Sequence, residues 1–192
     1  MRLFIGIELP EHIREAAAAA VEALRDSVRR AAPRALIRWL PADNLHVTVW
    51  FFGEVAEANV DPLVAALGGK PLDAGKFDLQ LGGAGAFPPS GPPRALWLGL
   101  TAGGAALAAV HASLRGRLAP LGYQPESRPF APHLTIGRAK DVHRGDAPAV
   151  RRILRDARIP PVSGEIDHAT LFKSRTLPEG SQYEALLRVP LI

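Results

Sequence analysis

The sequence predicts an α+β protein made of two similar lobes around one cleft, with mixed or antiparallel sheets and flanking helices. Three observations carry this expectation. Segments of strand and helix character recur in both halves of the 192-residue chain. Brief turns join neighbouring strands, as at Pro41-Ala42-Asp43-Asn44, which favours local antiparallel pairing over a doubly wound parallel sheet. A short His-x-Thr-x box occurs once in each half, as His46-Val47-Thr48-Val49 and His133-Leu134-Thr135-Ile136. Each lobe is then expected to contribute one box strand, and lobes this short read as interleaved parts of one domain over residues 1–192.

Arg2 to Leu9 reads as a strand closed by Pro10. An Ala-rich helix is predicted from Glu11 to about Ala31, ended by Pro33. Ile37 to Leu40 reads as a short strand, and Leu45 to Phe52 as the first box strand, stopped by Gly53. A second helix is predicted from about Asn59 to Leu67, before Gly68-Gly69. Phe77 to Leu81 alternates as a strand does. Gly82 to Pro93, rich in Gly and Pro, reads as a loop, and Arg94 to Leu100 as the next strand.

A third helix is predicted from about Ala105 to Leu118, and the second box strand from Ala131 to Arg138. Ala147 to Arg158 reads as a basic helix bearing Arg151, Arg152, Arg155 and Arg158. Its ordinary reading is a solvated face, with contact to an RNA backbone as the alternative. Val162 to Phe172 and Tyr183 to Val189 close the chain as strands.

Composition narrows the possible functions. The absence of cysteine excludes disulfides, thiolate metal sites and a cysteine nucleophile. The N-terminal apolar run is interrupted at Glu8, too early for a signal peptide, and no run is long enough to span a bilayer. A cytoplasmic location, with no membrane partner, is therefore expected. The net charge of +4 is carried almost wholly by arginine, which suits a polyanionic partner. A coding bias toward Arg and Ala leaves the same excess, so composition alone does not decide.

The boxes carry the chemistry. An alternating strand sends residues i and i+2 to one face. His46 and Thr48 then share a face opposite Val47 and Val49, and His133 and Thr135 share one opposite Leu134 and Ile136. Histidine is the side chain best suited to exchange protons near neutral pH. One imidazole as base and another as acid can run an in-line displacement at phosphorus, while threonine hydroxyls hold non-bridging oxygens.

A single His-x-Thr in a strand is ordinarily a packed histidine or a surface pair; two matched copies make that reading poor. Zinc is the other alternative. Asp43 and Glu54 flank the first box, and Asp141 and His143 trail the second, but no ligand stands at usual metal spacing. No metal and no cofactor are expected. His12, His111, His143 and His168 read as surface or packing residues. The Gly82–Gly91 stretch lacks the Gly-Lys-Ser/Thr ending of a phosphate-binding loop.

The doubled boxes resemble the signatures of the two-histidine (2H) phosphoesterases. Within that superfamily the chain is similar to the RNA 2',3'-cyclic phosphodiesterases, also called 2'-5' RNA ligases of the LigT type. Further landmarks are Arg2-Leu3-Phe4-Ile5-Gly6-Ile7, Asn44-Leu45 before the first box, Leu96-Trp97-Leu98-Gly99, Arg128-Pro129-Phe130-Ala131-Pro132 before the second, and Leu171-Phe172-Lys173-Ser174. They run from end to end of the chain.

The resemblance implies a bilobal fold with a pseudo-twofold axis and a central cleft. It implies metal-free hydrolysis of RNA 2',3'-cyclic phosphate ends, those of tRNA fragments among them, to 2'-phosphates, with reversible 2'-5' ligation. By position, His46 would be the proton donor to the leaving 3' oxygen, and His133 the proton acceptor from water. Thr48 and Thr135 would hold the phosphate, and Phe51 and Arg138 would clasp the terminal base. Each of those two lies five residues beyond its box histidine, an odd offset that strict alternation turns to the opposite face. They reach the cleft only if the strand twists, bulges or ends before them.

A monomer is expected. The alternatives are a 2H phosphodiesterase for small cyclic nucleotides or 2'-5' oligonucleotides and, from another class, a non-catalytic module that binds RNA ends.

Overall fold

The computed structural model describes residues 1–177 and 180–192. Strand β1 (Arg2–Glu8) is buried at five successive residues, Leu3 to Ile7, as a central strand covered on both faces must be. Helix α1 (Glu11–Ala31) follows, its buried face made by Ile13, Ala17, Ala20, Val21, Leu24 and Val28 at helical spacing. Strand β2 (Leu36–Trp39) and a 3-10 turn (Ala42–Asn44) lead into β3 (His46–Glu54), the first box strand. Helix α2 (Val60–Gly68), strands β4 (Phe77–Phe87) and β5 (Ala95–Ala102), and helix α3 (Gly104–Leu118) come next. The second box strand β6 (Leu134–Asp141), helix α4 (Ala147–Arg155), and strands β7 (Ser163–Ile166), β8 (His168–Thr176) and β9 (Ser181–Pro190) complete the chain.

The strands follow the order β7-β4-β5-β6-β3-β1-β8-β9, with β2 added on β6, and every strand pair is antiparallel. The array divides into two halves, β1-β3-β8-β9 and β2-β4-β5-β6-β7. Their junction is a single register pair, Val47 with Leu134, both fully buried. The two expected sheets are therefore joined edge to edge between the boxes.

Helices α1 and α4 pack together, and α4 lies on β4, while α2 lies on β9 and α3 on β3. Helix α1 follows a strand of the first half yet joins the helix layer of the second. Helix α3 follows β5 of the second half yet packs on β3 of the first, which interleaves the halves.

Several sequence expectations are corrected. Gly53 does not stop β3, which runs to Glu54 with Gly53 at a positive φ of 72°. The supposed loop from Gly82 begins instead as the second half of β4, because β5 pairs with it as far as Phe87. The run from Val162 to Phe172 breaks at Asp167 into β7, which pairs with β4, and β8, which pairs with β1. Helix α4 ends at Arg155, short of Arg158, and β6 starts at Leu134, one residue after its histidine.

Candidate active site

Both box strands break their own alternation at the same point. Along β3, Glu8 pairs with His46, Ile7 with Val47 and Gly6 with Thr48; Val49 is then skipped, and Ile5 pairs with Trp50 and Phe4 with Phe51. Residues directly opposite one another share a face. Phe4, Gly6 and Glu8 share one face of β1, so Phe51 stands with His46 and Thr48. Along β6, Trp97 pairs with Thr135, Ile136 is skipped, and Leu96 pairs with Gly137 and Ala95 with Arg138. Arg138 therefore shares the face of Thr135.

Each box thus carries a one-residue β-bulge directly after its threonine. The bulge leaves two consecutive residues on the core side, Val49 with Trp50 and Ile136 with Gly137, all buried. The expectation that parity turns Phe51 and Arg138 away is overturned for this physical reason. Phe51 is 40% exposed, and the Arg2 guanidinium lies 5.2 Å from its ring centroid.

The Val47–Leu134 pair brings the boxes together. Carried one step either way, the antiparallel register sets His46 across from Thr135 and Thr48 across from His133. The two imidazoles are held alike. His46 Nδ1 lies 2.8 Å from the Asn44 carbonyl and His133 Nδ1 lies 2.7 Å from the Ala131 carbonyl, in each case two residues upstream. An Nδ1–H donated to a carbonyl leaves Nε2 as the reactive nitrogen. The Thr48 hydroxyl stands 3.1 Å from His46 Nε2, and in that tautomer donates to it.

The imidazole environments differ. His46 stacks on Phe4 at 4.7 Å, meets the edge of Tyr183 at 5.1 Å and lies 6.2 Å from Phe172. Gly6 makes room for it, since a β-carbon there would stand 3.1 Å from His46 Cδ2. Burial pushes the His46 imidazole down to about 4, against the Asn44 carbonyl and helped by the charges of Arg138 and His133. His133 is touched by the edge of Phe87 at 5.0 Å. Its approach segment is anchored by Phe130, stacked at 4.6 Å and 9° on His111, whose ring lies 5.2 Å from Trp50.

Phe4, Gly6, Tyr183, Phe87 and the His111–Phe130 stack were not legible as site residues. One signal was present: a glycine inside the first strand marks a close approach of neighbouring atoms. Glu8, the register partner of His46, accepts from Arg188 at 2.9 and 3.0 Å and from Thr170 at 2.6 Å, and meets His168 Nε2 at 3.1 Å. The Arg188 hydrogen bonds lead in lowering its carboxyl to about 2, with burial opposing. His168 thus belongs to a half-buried network with Glu8, Thr170 and Arg188. In the basic helix, Arg151 is spent on the Pro88 and Gly91 carbonyls, and Arg155 pairs with Asp156. Among the described residues no group of three or more His, Cys, Asp or Glu is arranged to hold a metal ion, and no helix is long and apolar enough to cross a membrane.

Two bulged strands, each carrying its box threonine on one face with the residue five beyond the box histidine, and meeting at the Val47–Leu134 pair, define a duplicated His-x-Thr protein of the 2H kind. Residues 10–176 match the family model described as the 2'-5' RNA ligase superfamily, and the chain belongs to that superfamily. It is 31% identical to the RNA 2',3'-cyclic phosphodiesterase of Methanocaldococcus jannaschii, over 97% of this chain and 98% of that protein. The crystal structure of Escherichia coli LigT complexed with 3'-AMP superposes with a TM-score of 0.70 at 30% identity, covering 99% of this chain and 97% of that one. TT0787 of Thermus thermophilus superposes with a TM-score of 0.75 at 27% identity, covering 100% of this chain and 98% of that one.

Proposed function

We propose that this chain hydrolyses RNA 2',3'-cyclic phosphate ends to 2'-phosphates by paired-histidine acid–base catalysis without metal. The observation that carries the reading is the Val47–Leu134 junction. It sets two imidazoles tethered alike through Nδ1 beside two threonine hydroxyls, that of Thr48 resting on His46 Nε2 until a phosphate oxygen replaces it. The names of the relatives support the substrate class.

In the reaction, His133 takes a proton from water as the water oxygen bonds to phosphorus. His46 gives a proton to the 3' oxygen as the P–O3' bond breaks, leaving a 2'-phosphomonoester and a free 3' hydroxyl. Thr48 and Thr135 donate to the non-bridging oxygens as their charge grows. His46 rests neutral in its aromatic surroundings. An arriving phosphodiester anion counters the field of Arg138 and raises its proton affinity, loading the acid as substrate binds. Phe51 stacks on the terminal base and Arg138 reaches it from the other half. When the 5' hydroxyl of a second RNA takes the place of water, the same opening of the P–O3' bond makes a 2'-5' linkage, and that exchange is reversible. We read the protein as a cytoplasmic monomer in one domain, with tRNA fragments among its substrates.

The test is an oligonucleotide ending in a 2',3'-cyclic phosphate, incubated with excess chelator. A 2'-phosphate product is expected at an undiminished rate. A 3'-phosphate product, or activity only after divalent metal is restored, overturns the reading. An aryl phosphodiester whose leaving group needs no proton separates the roles. His46→Ala should retain turnover of it while His133→Ala should not, and the opposite pattern reverses the assignment.

A further inference from the structure

Strand β2 ends at Trp39 and contributes no residue to the site so far described. Its register places Arg38 directly opposite Arg138 and Trp39 opposite Gly137. Ile37 and Trp39 point inward, since a β-carbon on Gly137 would meet both of their side chains within 3.4 Å. Arg38 therefore points to the open face, with Arg138 and Thr135, and it is exposed.

Like charges at directly opposite positions of a strand pair repel, and such an arrangement costs stability unless something negative relieves it. Among the described residues neither is paired with a carboxylate, although arginines elsewhere in the chain are. The Arg38 guanidinium lies against Gly180, the residue before β9: a β-carbon there would stand 2.8 Å from its Nη2. The backbone there is tied down in turn, with Asn44 Nδ2 donating to the Ser181 carbonyl at 2.6 Å.

We infer that Arg38, the register partner of the base-contacting Arg138, forms a second phosphate subsite that receives the phosphodiester 5' of the terminal nucleotide. The spacing fits. Thr135 and Arg138 face Trp97 and Ala95, two residues apart on β5, and β2 lies one strand beyond. That puts the Arg38 backbone roughly 8 Å from that of Thr135 across the sheet, so the two side chains serve neighbouring rather than identical positions on a bound strand. A planar guanidinium is the side chain best matched to two phosphate oxygens. The subsite would make the protein select polymer over mononucleotide, because a 2',3'-cyclic mononucleotide has no 5' phosphate.

This inference rests on the proposed function, and the experiment separates the two. Adenosine 2',3'-cyclic phosphate is compared with the adenylyl dinucleotide ending in the same cyclic phosphate, for the native chain, Arg38→Ala and Arg38→Lys. The native chain should prefer the dinucleotide. Arg38→Ala should cut the dinucleotide-to-mononucleotide ratio of kcat/KM about tenfold, the scale of one charge-assisted hydrogen-bonded contact. Arg38→Lys should restore part of the ratio as a point charge.

The salt dependence of dinucleotide turnover should also weaken in Arg38→Ala, by about 0.7 in the log–log slope. An unchanged ratio in a folded Arg38→Ala protein overturns the subsite, and so does an equal loss on both substrates. If the native chain turns over neither substrate, the proposed function falls, and the subsite with it.

Discussion

Gly6 lies directly beneath the His46 ring: a β-carbon there would stand 3.1 Å from His46 Cδ2 and 3.3 Å from the Val47 carbonyl oxygen. Neither neighbour is the loose end of a flexible chain, because the ring is wedged between Phe4 and Tyr183 and the carbonyl belongs to β3. Gly6→Ala should therefore displace the imidazole by a few tenths of an ångström. Misplacement of about 1 Å costs on the order of 10²-fold in rate, so a loss near tenfold in kcat is expected, with destabilisation below about 2 kcal/mol. Steady-state kinetics beside thermal unfolding checks this, and an unchanged kcat would mean that the ring yields freely.

Acid should unfold the protein in two stages. His46 has its folded value lowered from 6.5 to about 4, so the unfolded chain takes up that proton first. Its contribution is complete above pH 6.5 and is lost as the pH falls toward 4. Glu8 is lowered from 4.5 to about 2, so its contribution is complete above pH 4.5 and is lost between there and pH 2. Melting temperatures across this range should fall on both limbs. His46→Gln should flatten the upper limb and Glu8→Gln the lower.

Phe51 faces the cleft and supports little of the core, so its truncation should report on substrate rather than on folding. Loss of a stacked base is worth about 1–3 kcal/mol, and Phe51→Ala should raise KM for base-bearing substrates about tenfold. Melting should shift by only a degree or two. An abasic phosphodiester should show no such rise, and equal losses on both substrates would place Phe51 outside the base site.

The His111–Phe130 stack anchors the segment that leads to His133, so under the proposed mechanism its loss should misplace that histidine. His111→Ala should lower kcat roughly tenfold with KM held, since the residue touches no substrate. His111→Phe preserves the stack and should recover most of the rate. A failure of that rescue would mean that the imidazole, rather than the stacking, is what matters.

Much of the site was legible because its information is local. The boxes repeat within a few residues, and strand parity puts each histidine beside its threonine without any knowledge of the fold. Phe51 and Arg138 were harder, because their orientation depends on which residue of a neighbouring strand is skipped, and a bulge has no local signature here. The Gly82–Phe87 stretch misled for a related reason. Its glycines break local strand propensity, yet Gly82 closes on Thr101 and Gly85 lies under the Trp97 ring, where no side chain fits. The break at Asp167 was equally hidden, since the two strands it separates pair in opposite halves.

The skipped residues have an arithmetic consequence. A regular strand lacking Val49 would still show His46, Thr48 and Phe51 on one side, because the fifth position would become the fourth. The same holds for His133, Thr135 and Arg138 in a strand lacking Ile136. The additional residue is therefore not what makes a three-pronged surface possible. What it adds is bending: a strand with one residue too many for its neighbour bends there and twists more strongly. Two such bends flank the Val47–Leu134 seam, and a straightened variant would keep every prong while changing the angle at which the two trios meet.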